Sequence, residues 1–260
     1  MTFVTKIKAI TTSIALLAFY EAVFFRTQFF WKLALPISIV FILAFLWILG
    51  PDFFYRRQLK AKKLIVPFIL FVVTTLFLFI ETSSLFRQII IFLSVFSAFI
   101  FFAIYRKIPI EENAESKKLP VQNWLTFILS LTAFLSFWLV YNFYFAYALP
   151  LWLSMLIILA ISLILFYYFF WALSIYEKIV FPFSALLGLV ILEVFLILAF
   201  WATDPTTRSL LMIIVFYPVL NLILARTRNQ LNRSKVIEYL IVFGLLFILL
   251  VLTLNWQPVV

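Results

Sequence analysis

Residues 151–171 read LWLSMLIILAISLILFYYFFW, a run of 21 residues without a charged side chain. A helix of about 20 predominantly apolar residues crosses the roughly 30 Å hydrocarbon core of a bilayer. The strands of a membrane barrel would instead alternate apolar and polar residues over segments of about ten. The continuous run predicts a transmembrane helix and argues against a barrel. The fold class that we predict is an all-α, polytopic helical transmembrane bundle.

Similar apolar runs recur along the chain, and we predict about nine membrane spans. They cover residues 7–25, 33–49, 64–80, 89–105, 124–145, 151–171, 179–201, 210–225 and 236–254. Pro67 and Pro182 fall in the first turn or so of their spans, where a missing backbone N–H does little harm. Pro218 falls in the middle of the eighth span and predicts a kink there.

The composition supports a membrane environment. Hydrophobic residues make up 67% of the chain and charged residues only 12%, against about half and a quarter in soluble domains. The chain has no cysteine and no histidine, which excludes disulfides, zinc sites built on those residues, cysteine nucleophiles and histidine bases. Since the sequence also contains no recognisable catalytic motif, we expect no enzymatic activity, no cofactor and no metal.

The basic residues orient the predicted bundle. With a cytoplasmic N-terminus, only Arg26, Lys32, Arg87 and Arg208 of the 20 lysines and arginines fall in outer segments. The other 16 fall in cytoplasmic segments, as the positive-inside rule requires. This division predicts an N-in, C-out topology for a multi-pass protein of the cell membrane, the inner or plasma membrane of a bacterium.

One long polar stretch divides the chain. Residues 106–123 are mixed in charge, with Glu111, Glu112 and Glu115 followed by two lysines. Such a composition is typical of a flexible linker. We therefore predict a first half, 1–105, with transmembrane helices 1–4, a cytoplasmic linker over 106–123, and a second half, 124–260, with helices 5–9.

The two halves share short sequence matches. Pro67 and Pro182 are 115 residues apart, and Arg87 and Arg208, which precede the fourth and eighth spans, are 121 apart. These matches suggest a parallel duplication of four helices plus a ninth, with the repeats related by an axis along the membrane normal. The alternative is chance matching in a sequence dominated by Phe, Leu and Ile.

Glu193 is the one ionisable residue well inside a predicted span. A charge at that depth costs at least a few kcal/mol, so intramembrane carboxylates usually have a function or a partner. Its neighbours one helical turn away, Leu189, Val190, Leu196 and Ile197, offer no partner. One interpretation is a proton- or cation-coupled site, and the other is a neutral carboxylic acid bonded across a helix interface.

Two further polar residues lie near the same outer level. Glu21 is about 6 Å from the outer end of the first span at 1.5 Å per residue, which favours an interfacial position. Asn142 lies near the outer end of the fifth span. A polar pocket formed by Glu193, Asn142 and Glu21 is conceivable, although spacing alone cannot bring residues of different helices together.

A basic cluster follows the second predicted span and comprises Arg56, Arg57, Lys60, Lys62 and Lys63. Basic residues beside a membrane attract anionic lipid headgroups at about 1 kcal/mol each. An orientation signal explains the cluster more simply. The partners that we expect are the lipid bilayer, anionic headgroups at the cytoplasmic face, and a membrane-protein partner or a second copy of the chain, but no nucleic acid.

These observations leave the molecular function open between two classes, and a third, an intramembrane enzyme acting on lipid-linked substrates, ranks last because the sequence has no recognisable catalytic motif. The chain has only three glycines, whereas transporters with unwound helices and close helix packing usually use many small residues. We therefore favour a non-catalytic membrane component, that is, a scaffold, assembly factor or accessory subunit. The alternative is a small-molecule or lipid transporter that uses Glu193.

Overall fold

The computed structural model describes residues 3–25, 57–104, 119–173, 177–201, 203–227 and 230–253. Within these ranges the chain forms eight α-helices and no β-strand. The helices are α1 Phe3–Phe25, α2 Arg57–Ile80, α3 Ser84–Ile104, α4 Leu119–Ala146, α5 Leu151–Ala172, α6 Glu177–Ala199, α7 Pro205–Thr227 and α8 Arg233–Thr253. The all-α prediction is confirmed for this part of the chain.

Five helices are long and apolar enough to cross a membrane. Their apolar segments are Ser84–Phe101, Gln122–Ala146, Leu151–Ala172, Val180–Ala199 and Pro205–Arg226, in α3 to α7 respectively. Among the described residues, α1, α2 and α8 carry shorter apolar segments, Ile10–Glu21, Ile65–Ile80 and Val236–Leu245. Length and composition thus support a membrane protein. The predicted second span, residues 33–49, lies outside the described residues.

Several helices begin earlier than the apolar runs predicted. Helix α2 begins at Arg57 and α6 at Glu177, so Pro67 and Pro182 lie within their helices and not in the first turn, which corrects the prediction for both. Helix α4 begins at Leu119, inside the predicted linker. Polar residues can extend a helix beyond the hydrocarbon core, because water there satisfies their side chains. Helix α7 continues through Pro218, and the kink stays a prediction.

The chain divides into two compact units, Met1–Trp124 and Leu125–Val260. In the first unit, α1 packs against both α3 and α2. Tyr20, Phe77 and Phe101 are among its largest fully buried side chains. Between α2 and α3 the hydroxyl oxygens of Thr74 and Ser94 are 2.9 Å apart, which pairs two polar groups inside an apolar contact.

The second unit is built around α4, whose apolar segment is 78% buried. The aromatic rings of Phe137 and Phe166 both contact that of Phe216 in α7, with centroids 6.0 and 4.9 Å apart. Helix α5 packs along α6, α6 contacts α7, and α7 contacts α8. Bulky rings thus fill much of the space between these helices, consistent with the scarcity of glycine.

Gly188 marks a close approach between α5 and α6. A Cβ atom at this position would lie 3.4 Å from Leu159 Cδ1 and 3.7 Å from the backbone nitrogen of Leu163. A methyl group nearly fits, whereas a larger side chain would push the two helices apart. Gly244 in α8, by contrast, has nothing within 4 Å of such a Cβ.

We predict that Gly188→Leu destabilises the protein by about 1–3 kcal/mol, the usual cost of overpacking a filled contact. Gly244→Leu is the matched control and should leave stability nearly unchanged. The free energy of unfolding can be measured by denaturant titration in mixed micelles with circular dichroism. Equal effects of the two substitutions would contradict the packing described for Gly188.

Candidate functional site

Glu193 lies on an exposed face of α6. Leu189, Val190 and Ile197, one turn before and after it, are exposed as well, whereas Ile191 is buried. Among the described residues, Glu193 has no hydrogen-bond or ion-pair partner. The carboxyl group therefore belongs to an apolar outer surface of the second unit.

The other two predicted pocket residues have local partners. The Asn142 side chain donates from Nδ2 to the Trp138 carbonyl oxygen at 2.9 Å, within its own helix. Glu21 Oε2 accepts a long, 3.5 Å bond from Gln88 Nε2, between α1 and α3 of the first unit. Asn142 makes no hydrogen bond to Glu193 among the described residues, and Glu21 belongs to the first unit. The pocket of these three residues stays a prediction.

The basic cluster forms part of α2. Arg57, Lys60, Lys62 and Lys63 occupy the first two turns of that helix, and Arg56 lies outside the described residues. Their place beside the apolar segment Ile65–Ile80 is where a membrane surface would lie. Binding of anionic headgroups by this cluster stays a prediction.

The structure brings together a polar site that the sequence interpretation did not single out, at the turn between α6 and α7. Asp204 precedes α7, and its carboxylate accepts bonds from the Thr207 backbone N–H at 3.0 Å and the Thr207 hydroxyl at 2.5 Å. Pro205 is the first helical residue. An aspartate N-cap followed by proline is a strong helix-starting signal, and it places Arg208 in the first turn of α7.

Arg208 turns back from this first turn and is only 3% exposed. Its Nη2 donates to the Trp201 carbonyl oxygen and its Nε to Thr203 Oγ1 at 3.3 Å. The guanidinium carbon lies 3.7 Å from the ring centroid of Phe145 and 5.9 Å from that of Tyr141. We refer to Arg208, Trp201, Thr203, Phe145 and Tyr141 as the arginine cage.

Two hydrogen bonds from α4 hold the surroundings of the cage. The Tyr141 hydroxyl donates to the Phe195 carbonyl oxygen in α6 at 3.3 Å. Trp138 Nε1 donates to Thr206 Oγ1 in α7 at 3.1 Å. Since α4 is thereby tied to both neighbouring helices, the aromatic faces that pack on Arg208 have a defined position.

The first unit contains a similar turn between α2 and α3. Ser83 precedes α3, and its hydroxyl accepts from the Phe86 backbone N–H at 3.4 Å. Arg87 Nε donates back to the Glu81 carbonyl oxygen just after α2. Arg87 and Arg208 are each the fourth residue of their helix. The two arginines noted in the sequence therefore have the same local role, although Arg87 is more exposed.

The sequence did carry a signal for the arginine cage. The segment Thr203-Asp204-Pro205 starts a helix by the rules above, and an arginine in the first turn can reach back to the preceding carbonyl groups. The apolar run alone placed the start of the span at residue 210, and Arg208 was accordingly assigned to an outer loop. Its burial could not be predicted, because it depends on α4, which is distant in the sequence.

The arginine cage can bind or orient a group through its guanidinium. A guanidinium has five N–H donors and no acceptor, so it cannot take a proton from a substrate. Among the described residues, no group of three or more Asp or Glu side chains could hold a metal ion. The site is therefore a cationic site with aromatic walls.

The described helices and this site define a class, a protein with long apolar helices suited to a membrane, whose described residues bury one charged side chain, that of Arg208. The chain belongs to the family described as "Protein of unknown function (DUF5656)", whose model matches residues 11–253. Comparisons with curated proteins and with solved structures found no match. The family extends over both compact units and so includes the arginine cage.

We predict that Trp138→Phe lowers the free energy of unfolding by about 0.5–1.5 kcal/mol, the usual net value of one hydrogen bond. Thr206→Val removes the other partner, and the double variant should lose less than the sum of the single losses. Trp152→Phe, at an exposed tryptophan, is the control. Strictly additive losses in denaturant titrations would show that the Trp138–Thr206 bond does not stabilise the protein.

Proposed function

We propose that this protein is a non-catalytic, multi-pass component of the cell membrane that acts through lateral contacts, as a scaffold, assembly factor or accessory subunit. The observation that carries this proposal is the exposed position of Glu193 on α6. A carboxyl group on a lipid-facing surface is costly. A neighbouring transmembrane helix with a hydrogen-bond donor would remove that cost.

The rest of α6 supports a lateral contact. Only 28% of its apolar segment is buried, the lowest share among the five membrane-compatible helices of the described chain. The opposite face of α6 packs against the protein. Gly188 on that face lies against α5, and the buried hydroxyl of Ser184 donates to the carbonyl oxygen of Val180. The exposed large side chains of α6 are Phe181, Phe183, Leu186, Leu189, Val190 and Ile197.

The occupant that we propose is a helix of another membrane protein that presents an amide, hydroxyl or cationic donor to Glu193. A purely apolar helix would bury the carboxyl group without satisfying it, and would gain little over lipid tails. A second copy of this chain would set two carboxyl groups against each other, which requires protonation of at least one of them. A donor-bearing partner is therefore favoured over a homodimer.

We further propose nine spans, an N-in, C-out orientation and a duplicated four-helix core with a ninth helix added. The matching turns at Arg87 and Arg208, each with an N-cap and an arginine in the fourth helical position, support the duplication. The boundary between the compact units at Trp124–Leu125 supports halves of 1–105 and 124–260. The basic cluster at the start of α2 would then face the cytoplasm and its anionic lipids.

The alternative is a small-molecule or lipid transporter in which Glu193 binds or carries a proton. Such a residue needs access to water from each side of the membrane in turn. Its place on an apolar outer face of the second unit favours a contact role over a transport role. The two functions differ in what they require of residue 193, since a contact needs a hydrogen-bonding group and proton coupling needs an ionisable one.

We predict that a photo-crosslinking residue at Ile197 forms one defined adduct in native membranes. The adduct should survive Glu193→Gln, which can still hydrogen-bond, and should disappear with Glu193→Leu. The same photo-crosslinker at buried Met212 is the control. Adduct size and peptide mass spectrometry identify the partner as another protein, a second copy or another segment of this chain.

The same variants test the alternative function. Proton flux is measured in proteoliposomes with a pH-sensitive dye. If the protein is a transporter, Glu193→Gln should abolish the flux. If the protein is a scaffold, Glu193→Gln should not change the signal. An adduct that is unchanged in Glu193→Leu, or an adduct that proves to be intramolecular, would overturn the lateral-contact proposal. A proton flux that is lost in Glu193→Gln would establish the transport function in its place.

A further inference from the structure

The arginine cage holds a buried positive charge that forms no direct ion pair among the described residues. No described carboxylate lies within ion-pair distance of Arg208. Asp204, one turn earlier, interacts electrostatically with Arg208, but its carboxylate oxygens bind Thr207 and make no hydrogen bond to the guanidinium. A charge removed from water is costly unless it is paired and hydrogen-bonded. The cage is therefore incomplete as a self-contained structural element.

One nitrogen of the Arg208 guanidinium lacks a hydrogen-bond acceptor. Nε and Nη2 donate to Thr203 and Trp201, whereas Nη1 is buried and has no hydrogen-bond partner among the described residues. A buried donor that makes no bond costs about 1–3 kcal/mol, and more when it is charged. An acceptor with a full negative charge would satisfy both the free donor and the unpaired cation.

The aromatic ring that covers Arg208 lies at the protein surface, where its movement would expose the guanidinium. The Phe145 ring lies 3.7 Å from the guanidinium carbon, and Phe145 is itself 43% exposed, near the end of α4. Tyr141, one turn earlier in α4, is fully buried and held by its bond to Phe195. Rotation of the Phe145 side chain would open the cage from the surface while Tyr141 stays in place.

The position of the cage in the membrane indicates which anion would meet it. The apolar segment Pro205–Arg226 begins at the turn that carries Arg208, so the cage lies at one boundary of the hydrocarbon core, where phospholipid phosphates are found. This holds for either orientation of the chain. The helix dipole places a partial positive charge at the N-terminus of α7, which also attracts an anion. The planar set of N–H donors of a guanidinium matches the geometry of phosphate oxygens.

We propose that Arg208 binds a phosphate-type oxyanion at the membrane boundary, through Nη1, with Phe145 as a displaceable cover. The oxyanion is the headgroup phosphate of a phospholipid or a free phosphate. Binding exchanges the contact between Arg208 and the Phe145 ring for an ion pair. This site is separate from the Glu193 surface and does not depend on the proposed lateral contact.

The experiment measures binding to the full chain in maltoside micelles by tryptophan fluorescence, because Trp201 belongs to the cage. Three probes are titrated: a short-chain phosphatidylglycerol, inorganic phosphate, and a diacylglycerol with the same chains and no phosphate. We expect saturable binding of the phosphatidylglycerol, with at least tenfold weaker binding in Arg208→Gln. Arg233→Gln, at an exposed arginine, is the control and should bind like the natural chain.

Competition by inorganic phosphate would identify a free anion as a sufficient ligand, and its absence would assign the site to lipid; either result supports the proposal. Equal binding by the natural chain and Arg208→Gln, or equally tight binding of diacylglycerol, would overturn it. If Arg208→Gln does not fold, Phe145→Ala decides. Loss of the cover should tighten phosphate binding about two- to fivefold, a factor equal to one cation–π contact, and unchanged affinity would refute the proposal.

Discussion

Lipid offers no hydrogen-bond partner, and this constraint explains how polar side chains are arranged in the described helices. Hydroxyl groups bond back to the carbonyl four residues earlier, as Thr132 does to Ile128 at 2.7 Å and Ser184 to Val180 at 2.7 Å. Such bonds satisfy the side chain without a neighbouring helix. The helices can then pack largely through apolar and aromatic surfaces. Within the described helices, the buried hydroxyl groups of Ser97, Ser130 and Ser162 make no hydrogen bond.

The same constraint explains why the turns of the two units resemble each other. The chain leaves one apolar helix and enters the next within a few residues, so carbonyl groups at the end of the first helix lack helical partners. In both turns a capping side chain starts the second helix, and an arginine of its first turn donates to a carbonyl oxygen after the first helix. Arg87 and Arg208 thus satisfy such carbonyl groups in the same way. They differ in their surroundings, because Phe145 and Tyr141 of α4 cover Arg208.

The sequence predicted the helical class well, because each long apolar run is decided by residues next to one another. Residues 151–171 alone suffice for α5. It predicted the helix ends less well, because a hydropathy pattern does not show that polar residues such as Arg57–Lys63 are helical. For the same reason, α7 was expected to begin after Arg208. The arginine cage could not be predicted, because it needs the distances between α4, α6 and α7. The sequence identified Glu193 as the one ionisable residue well inside a span, but whether its face is covered depends on the tertiary structure.

Glu193 and Arg208 represent opposite ways in which a membrane protein can carry an unpaired polar group. The carboxyl group is exposed, so whatever satisfies it must arrive from beside the protein, and a single helix with a donor would be enough. The guanidinium is enclosed and already makes two hydrogen bonds, so only a small anionic group that reaches Nη1 can complete it. The partners that we propose therefore differ, a helix with a hydrogen-bond donor for the carboxyl group and a small anion for the guanidinium.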